Sequence, residues 1–307
     1  MSASGSLKML RIAGNRQGPH LLILGGVHGD EFEPMAAIRR LAARVDPVAL
    51  RGSLTLVPVV NEPAFLRGQR VADDGLDLAR TFPGRPDGSI TERIAHAAGE
   101  LIRSADFLID LHTGGTTMAI LPLAGYMLHA DGRVLEMQRR MARAFNLPFV
   151  WGTSPELEGR SLSVARDAGV PAIYAEYQGG AACSADGVRA YVEGSINVMA
   201  ELGMVDGHPW AAAAQVTVED ARPGAGHLQI NNPAPRAGFF EPAVRLGQHV
   251  RVGELLGTIS DPLGNDIEQI HSRQNGMVLL LRTFPRVLAD ECLAVIVEMD
   301  AKSQAVP

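Results

Sequence analysis

The stretch HLLILGGV, residues 20–27, constrains this chain more than any other. It is a continuous apolar run closed by glycines, as expected of a strand buried on both faces. The next segment, EPMAAIRRLAARV, has its apolar residues at helical spacing. GSLTLVPVVN then reads as a second strand, ITERIAHAAGELIRS as a helix and ADFLIDLHTGG as a third strand. A helix around GRVLEMQRRMARAFN, a short strand AIYAEYQGG and a helix around GVRAYVEGSINVMAELG continue the rhythm. Such βαβ repetition implies an α/β fold with a mostly parallel or mixed sheet flanked by helices.

After Gly207 the pattern changes. HPWAAAAQ reads as a linker, and beyond it come short strand-like pieces separated by glycines and prolines. Turns every 8 to 12 positions favour a small all-β, barrel-like domain. The expected division is therefore residues 1–208 and 209–307. A chain of 307 residues is long enough for both.

Composition narrows the partners. With 46% apolar and 20% charged residues, the chain reads as a soluble globular protein with a sizeable core. A net charge of −6, with no basic cluster interleaved with aromatics, argues against nucleic acid or an anionic membrane. No apolar run approaches the ~20 residues needed to span a bilayer. MSASGSLKML lacks the regions of a signal peptide, and Cys183 and Cys292 are the only cysteines. Both point to the cytoplasm; a homo-oligomer remains open.

The polar residues of interest sit where the strands end. In open α/β sheets, ligands bind beyond the carboxyl ends of the strands. One strand ends in GGVHGDE, another in DLHTGG and a later one in AEYQGG. His28 and Glu31, three apart in a turn, can face one point, and His112 can join them from a neighbouring strand. Two imidazoles and a carboxylate make a three-ligand zinc set with an open fourth position for water. Asp110, two residues before His112 on the same strand face, either supports that histidine or ends a loop. Asp30 and Glu33 read as turn or surface residues, with Glu33 an alternative to Glu31 as ligand. Two roles fit Glu176: a strand-end carboxylate paired with an arginine, or a general base whose pKa is raised by burial. Arg67, Arg70 and Arg80 could face a carboxylate or an oxyanion, or simply lie on the surface.

The motifs GGVHGDE, RVADDGLDLARTFPG, DLHTGG and AEYQGG, in that order, resemble the succinylglutamate desuccinylase/aspartoacylase family, which is related to zinc carboxypeptidases. Within it, the chain is most similar to the N-acetyl-diaminobutyrate deacetylase type. The resemblance implies a zinc carboxypeptidase-like fold and one Zn2+ per chain held by His28, Glu31 and His112. It implies Glu176 as general base and acid, Arg70 as the group polarising the scissile carbonyl, and Arg80 as the ligand of a substrate carboxylate. The implied activity is hydrolysis of a small N-acylated amino acid or amino acid derivative. A metallocarboxypeptidase of short peptides and a non-catalytic binding protein on the same scaffold are the alternatives. The family has Asn-Arg where this chain has Ala79-Arg80, which removes one expected substrate hydrogen bond.

Residues 239–281 echo a biotinyl/lipoyl-like barrel through the spacing of glycines, valines and leucines. A carrier domain needs a lysine at its hairpin tip, and this segment has none. The expectation is a small barrel that shapes the mouth of the pocket or an oligomer interface.

Overall fold

The computed structural model describes residues 7–207, 215–228 and 231–298. The chain enters through β1 (Leu10–Ala13) and turns into β2 (Arg16–Leu24), whose last four residues, Leu21 to Leu24, have no exposed surface. Helix α1 (Phe32–Arg44), β3 (Arg51–Val57), α2 (Glu62–Arg67) and α3 (Ile90–Arg103) follow. Then come β4 (Phe107–His112), β5 (Met118–Met127), α4 (Gly132–Phe145), β6 (Phe149–Thr153) and α5 (Ser161–Ala168). Strand β7 (Ala172–Gly179) and α6 (Ala185–Glu201) end this part. The long helices start where their sequences stop them fraying. Ser89 and Glu92 form a reciprocal cap on α3, and Asp131 caps α4, which ends at Asn146 in the left-handed region.

Strands β2, β3, β4 and β7 run parallel at the centre of the sheet, in the order β3-β2-β4-β7. Helices pack on both faces, as the continuous apolar strands require. On one face, Ile38 and Leu41 of α1, Met141 and Phe145 of α4 and Val188, Tyr191 and Val198 of α6 bury against the sheet. On the other, Ile94, Ala98 and Ile102 of α3 meet Leu162, Val164 and Ala165 of α5.

Beyond Gly207 the described residues contain strands and no helix: β8 (Val216–Glu219), β9 (Gly238–Pro242), β10 (His249–Val250) and β11 (Leu255–Ser260). They continue with β12 (Glu268–His271), β13 (Gly276–Arg282), β14 (Arg286–Val287) and β15 (Ala294–Val297). Four of them make a second sheet, β12-β11-β9-β14, around Phe240, Leu256, Ile259 and Val287. The others extend the large sheet. β13 pairs antiparallel with β5, and β8 pairs parallel with β6, so eleven strands among the described residues form one mixed sheet. The boundary near residue 208 and all of the expected linker but Gln215 lie outside the described residues.

Strand β5, like β1, β6, α2 and α5, is an element that pattern reading does not anticipate. Its sequence, MAILPLAGYM, contains Pro122 and Gly125, and the register with β7 shifts between Ile120 and Leu123. A proline inside a strand is tolerated at such an irregularity, and it hides the strand from a periodicity count. β5 matters because it joins the two parts of the chain: β7 on one side, β13 on the other.

Candidate active site

The glycines after β2 let the chain turn sharply, and the turn delivers His28 and Glu31 just before α1 begins. His112 is the last residue of β4, the strand next to β2. His28 Nδ1 lies 2.7 Å from Glu31 Oε1, and His112 Nδ1 lies 3.1 Å from Glu31 Oε2. The two rings stand with centroids 5.2 Å apart. One ligand atom from each of the three residues lies within 4.8 Å of the others. His28 and Glu31 are buried, and His112 nearly so.

Each of these three side chains is held from behind. Asp77 Oδ1 lies 3.2 Å from His28 Nε2, while Asp77 Oδ2 accepts from Arg70 Nε and Nη2 at 3.2 and 3.0 Å. Asp110 Oδ2 faces His112 Nε2 at 3.1 Å and accepts a short hydrogen bond from the Ser161 hydroxyl. The Thr113 amide donates to Glu31 Oε2 at 3.1 Å, and Tyr191 donates to the His112 carbonyl. Asp30 accepts from the Thr116 amide at 2.8 Å, tying the turn to the loop after β4. Carboxylates behind metal-facing imidazoles orient the rings and raise their basicity.

The electrostatics fit a cation. Burial opposes charge on His28, as does Arg70, yet Glu31 and Asp77 outweigh them and raise its pKa. Burial likewise opposes charge on His112, and Asp110 and Glu31 push it well above the ordinary histidine value. Burial alone would lift the Glu31 carboxyl; the two imidazoles instead hold it well below the usual carboxylate range. A nitrogen–nitrogen–oxygen donor set of this kind could hold a divalent metal ion, zinc being one that it suits.

Glu33 departs from its expected place. It has no exposed surface, and the Ser184 amide donates to its Oε1 at 2.9 Å, so it braces α1 against the start of α6. It is absent from the His28–Glu31–His112 group.

The cluster opens into a cavity of about 480 Å³. Glu176 lines it from β7, where it stands opposite His112 in parallel register. Its side chain is 92% buried (8% exposed), Oε2 has no hydrogen-bond partner, and no arginine pairs with it among the described residues. Burial pushes the Glu176 carboxyl up to about 7, helped by Glu31 and opposed chiefly by His112. A carboxyl in that range can both take and return a proton near neutrality.

Arg70 lines the same cavity, with Nη1 3.8 Å from Glu31 Oε1. Arg80 lines it too, on the short 3₁₀ turn Leu78–Arg80, with Ala79 beside it. Sequence reasoning missed its neighbour, Arg160. Gly159, at φ 78°, packs its backbone against that of Arg80, and the Phe82 amide donates to the Gly159 carbonyl at 3.1 Å. This close approach brings Arg160 into the cavity next to Arg80. Burial first, and Arg160 second, push the Arg80 guanidinium down to about 10. Arg160 Nη1 donates to the Gly226 carbonyl at 3.2 Å, and its Nε is buried without a partner. Two guanidiniums crowded in a partly dry place favour an anion between them. The far wall comes from beyond residue 207: Leu228, Leu280, Arg282 and residues 289–292. Asp77 and Arg160 left only weak local signals, an Asp before Leu-Ala-Arg and an Arg just ahead of a helix.

Comparisons with known proteins find similar sequences and similar folds. A family model described as the succinylglutamate desuccinylase/aspartoacylase catalytic domain matches residues 17–202. The N-alpha-acetyl-L-2,4-diaminobutyric acid deacetylase of Halomonas elongata is 30% identical over 292 residues, which is 92% of this chain and 83% of that relative. A solved succinylglutamate desuccinylase/aspartoacylase from Rhodobacter sphaeroides superposes with a TM-score of 0.81 at 30% identity, covering 94% of this chain and 88% of that one. The product-bound ectoine utilization protein EutE (DoeB) from Ruegeria pomeroyi gives a TM-score of 0.85 at 28% identity, covering 94% and 87%.

Proposed function

Since the chain belongs to the succinylglutamate desuccinylase/aspartoacylase family, we propose that it is a zinc-dependent amidohydrolase that removes the acyl group from a small N-acylated amino acid or derivative. One observation carries this reading: a buried His28–Glu31–His112 group, the unpaired carboxyl of Glu176 and the Arg80–Arg160 pair all line one cavity. Zinc held by His28, Glu31 and His112 would supply Lewis-acid polarisation of a carbonyl and a lowered pKa for bound water.

The chain's own residues then divide the work. Arg80 and Arg160 hold the substrate carboxylate and so fix which amide faces the cluster. Arg70, kept in place by Asp77, presents a guanidinium to the oxygen of the scissile carbonyl, where negative charge develops. Glu176 takes a proton from the attacking water and returns it to the leaving amine nitrogen. The products are a carboxylic acid and a free amino acid or amine.

The residues beyond 207 are read as one wall of the cavity, because Leu280, Arg282 and residues 289–292 line it. A cavity of this size, walled on that side, suits a small acylated amino acid better than an extended peptide. The test is amine release by the zinc-loaded protein from N-acetyl and N-succinyl amino acids, acetylated diamino acids included, against N-blocked dipeptides. Turnover of the first group alone supports the deacylase. Turnover confined to the dipeptides would make the protein a carboxypeptidase and reassign Arg80 to a peptide C-terminus.

A further inference from the structure

The sheet face that carries the cluster also carries a residue for which the proposed reaction has no use. β4 and β7 run parallel with Asp110 opposite Tyr174 and His112 opposite Glu176. Side chains two apart in a strand share a face, and all four of these line the cavity. His112 and Asp110 belong to the metal cluster, and Glu176 is the proton carrier. Tyr174 is the fourth.

Tyr174 is partly a packing residue, since its ring touches the apolar clusters on both sides of it. Two observations show that packing is not its whole role. On the neighbouring strand β5, Gly125 stands opposite Tyr174, and a Cβ there would collide with the ring's Cε1, Cζ and Oη. The ring thus lies across β5 at Gly125, the one glycine of that strand, where the missing side chain leaves room for it. That hydroxyl has no hydrogen-bond partner among the described residues, and the charged groups acting on it are Glu176 and Arg160.

We propose that Tyr174 is a substrate-binding residue whose hydroxyl donates a third hydrogen bond to the carboxylate held by Arg80 and Arg160. A neutral donor is the fitting addition beside two crowded guanidiniums, because it adds a bond to the anion without adding repulsion between cations. Its place two residues before Glu176 on the same strand couples the carboxylate's position to that of the proton carrier. The inference rests on the deacylase reading for the identity of the carboxylate.

The experiment compares the full-length protein with Tyr174→Phe, which keeps the ring and removes the hydroxyl. The substrates are N-acetyl-L-diaminobutyrate, N-acetyl-L-glutamate and, for each, the matching N-acetyl amine without the carboxylate. For the carboxylates, Tyr174→Phe should raise KM about 10- to 100-fold, as expected for one hydrogen bond to a charged group, with kcat and zinc content unchanged. For the amines without a carboxylate, the two proteins should have equal kcat/KM. An equal loss on both kinds of substrate, or a fall in kcat at constant KM, overturns the proposal and leaves Tyr174 a packing residue. If the unaltered protein hydrolyses none of these compounds, the deacylase reading fails by itself. Tyr174 is then judged by calorimetric binding of free diaminobutyrate and free glutamate: weaker binding to Tyr174→Phe supports it, and equal or absent binding overturns it.

Discussion

The two ends of the cavity are built by opposite rules. At the His28–Glu31–His112 end, the three clustered groups are answered within the protein: Glu31 meets two imidazoles and an amide, and each imidazole meets a second carboxylate. At the other end, two arginines crowd together, Arg160 Nε is buried without a partner, and each guanidinium is held below its ordinary pKa. The first end is a closed network of hydrogen bonds and ion pairs. The second gathers two cations, with Asp77 acting on both, in a cavity where a bound anion would add to that balance. Catalytic sites gain from preorganisation, because donors aimed in advance need not rearrange during the reaction.

If the ends are separate devices, substitutions should sort by readout. His112→Ala should have the largest effect, with zinc retention and amine release both lost; metal analysis after dialysis checks it. A variant that keeps stoichiometric zinc would move the ligand set elsewhere. Glu176→Gln comes next: zinc content unchanged, kcat down about 10²- to 10⁴-fold, the range for removing a general acid–base group. Normal turnover by this variant would end the role assigned to Glu176. Arg160→Ala should raise KM by about 10- to 100-fold for substrates with a carboxylate while leaving zinc in place. Were it to strip the metal as His112→Ala does, the division between the two ends would collapse. The smallest effect is expected from Ser161→Ala, which removes one of the two partners of Asp110 Oδ2. Zinc affinity should fall by about tenfold, the low end for a group behind a metal ligand, and a chelator competition titration would detect it. Ser161 directly follows Arg160, so a change in KM without a change in zinc affinity would attach it to the anion end instead.

Legibility follows the same division. His28, Glu31 and His112 could be read from strand-end motifs, because a continuous apolar run and the glycines after it are local signals. Glu176 reads as a strand-end carboxylate, whereas β7 continues three residues past it to Gly179, and its freedom from arginine depends on which residues surround it in space. Arg160 left only a weak signal: it lies eighty positions after Arg80 in the chain, and their meeting depends on the backbone packing of Gly159. Glu33 shows the converse error. Its charge suggested the surface, whereas a single amide from Ser184 and the shelter between α1 and α6 keep it inside.

By itself, then, the sequence determined the alternation of strands and helices, the all-strand character of the described residues beyond 207 and the set of groups able to hold a metal. These follow from periodicity and residue chemistry, which act over a few positions. Only the tertiary structure decided that β5 joins the two parts of the chain, that Asp110 faces Tyr174 and His112 faces Glu176, and that a wall from the C-terminal part closes the cavity. Those are matters of strand order and register between segments far apart in the chain. Long-range pairings of that kind are selected by the packing of the whole fold and leave no mark on any one stretch of it.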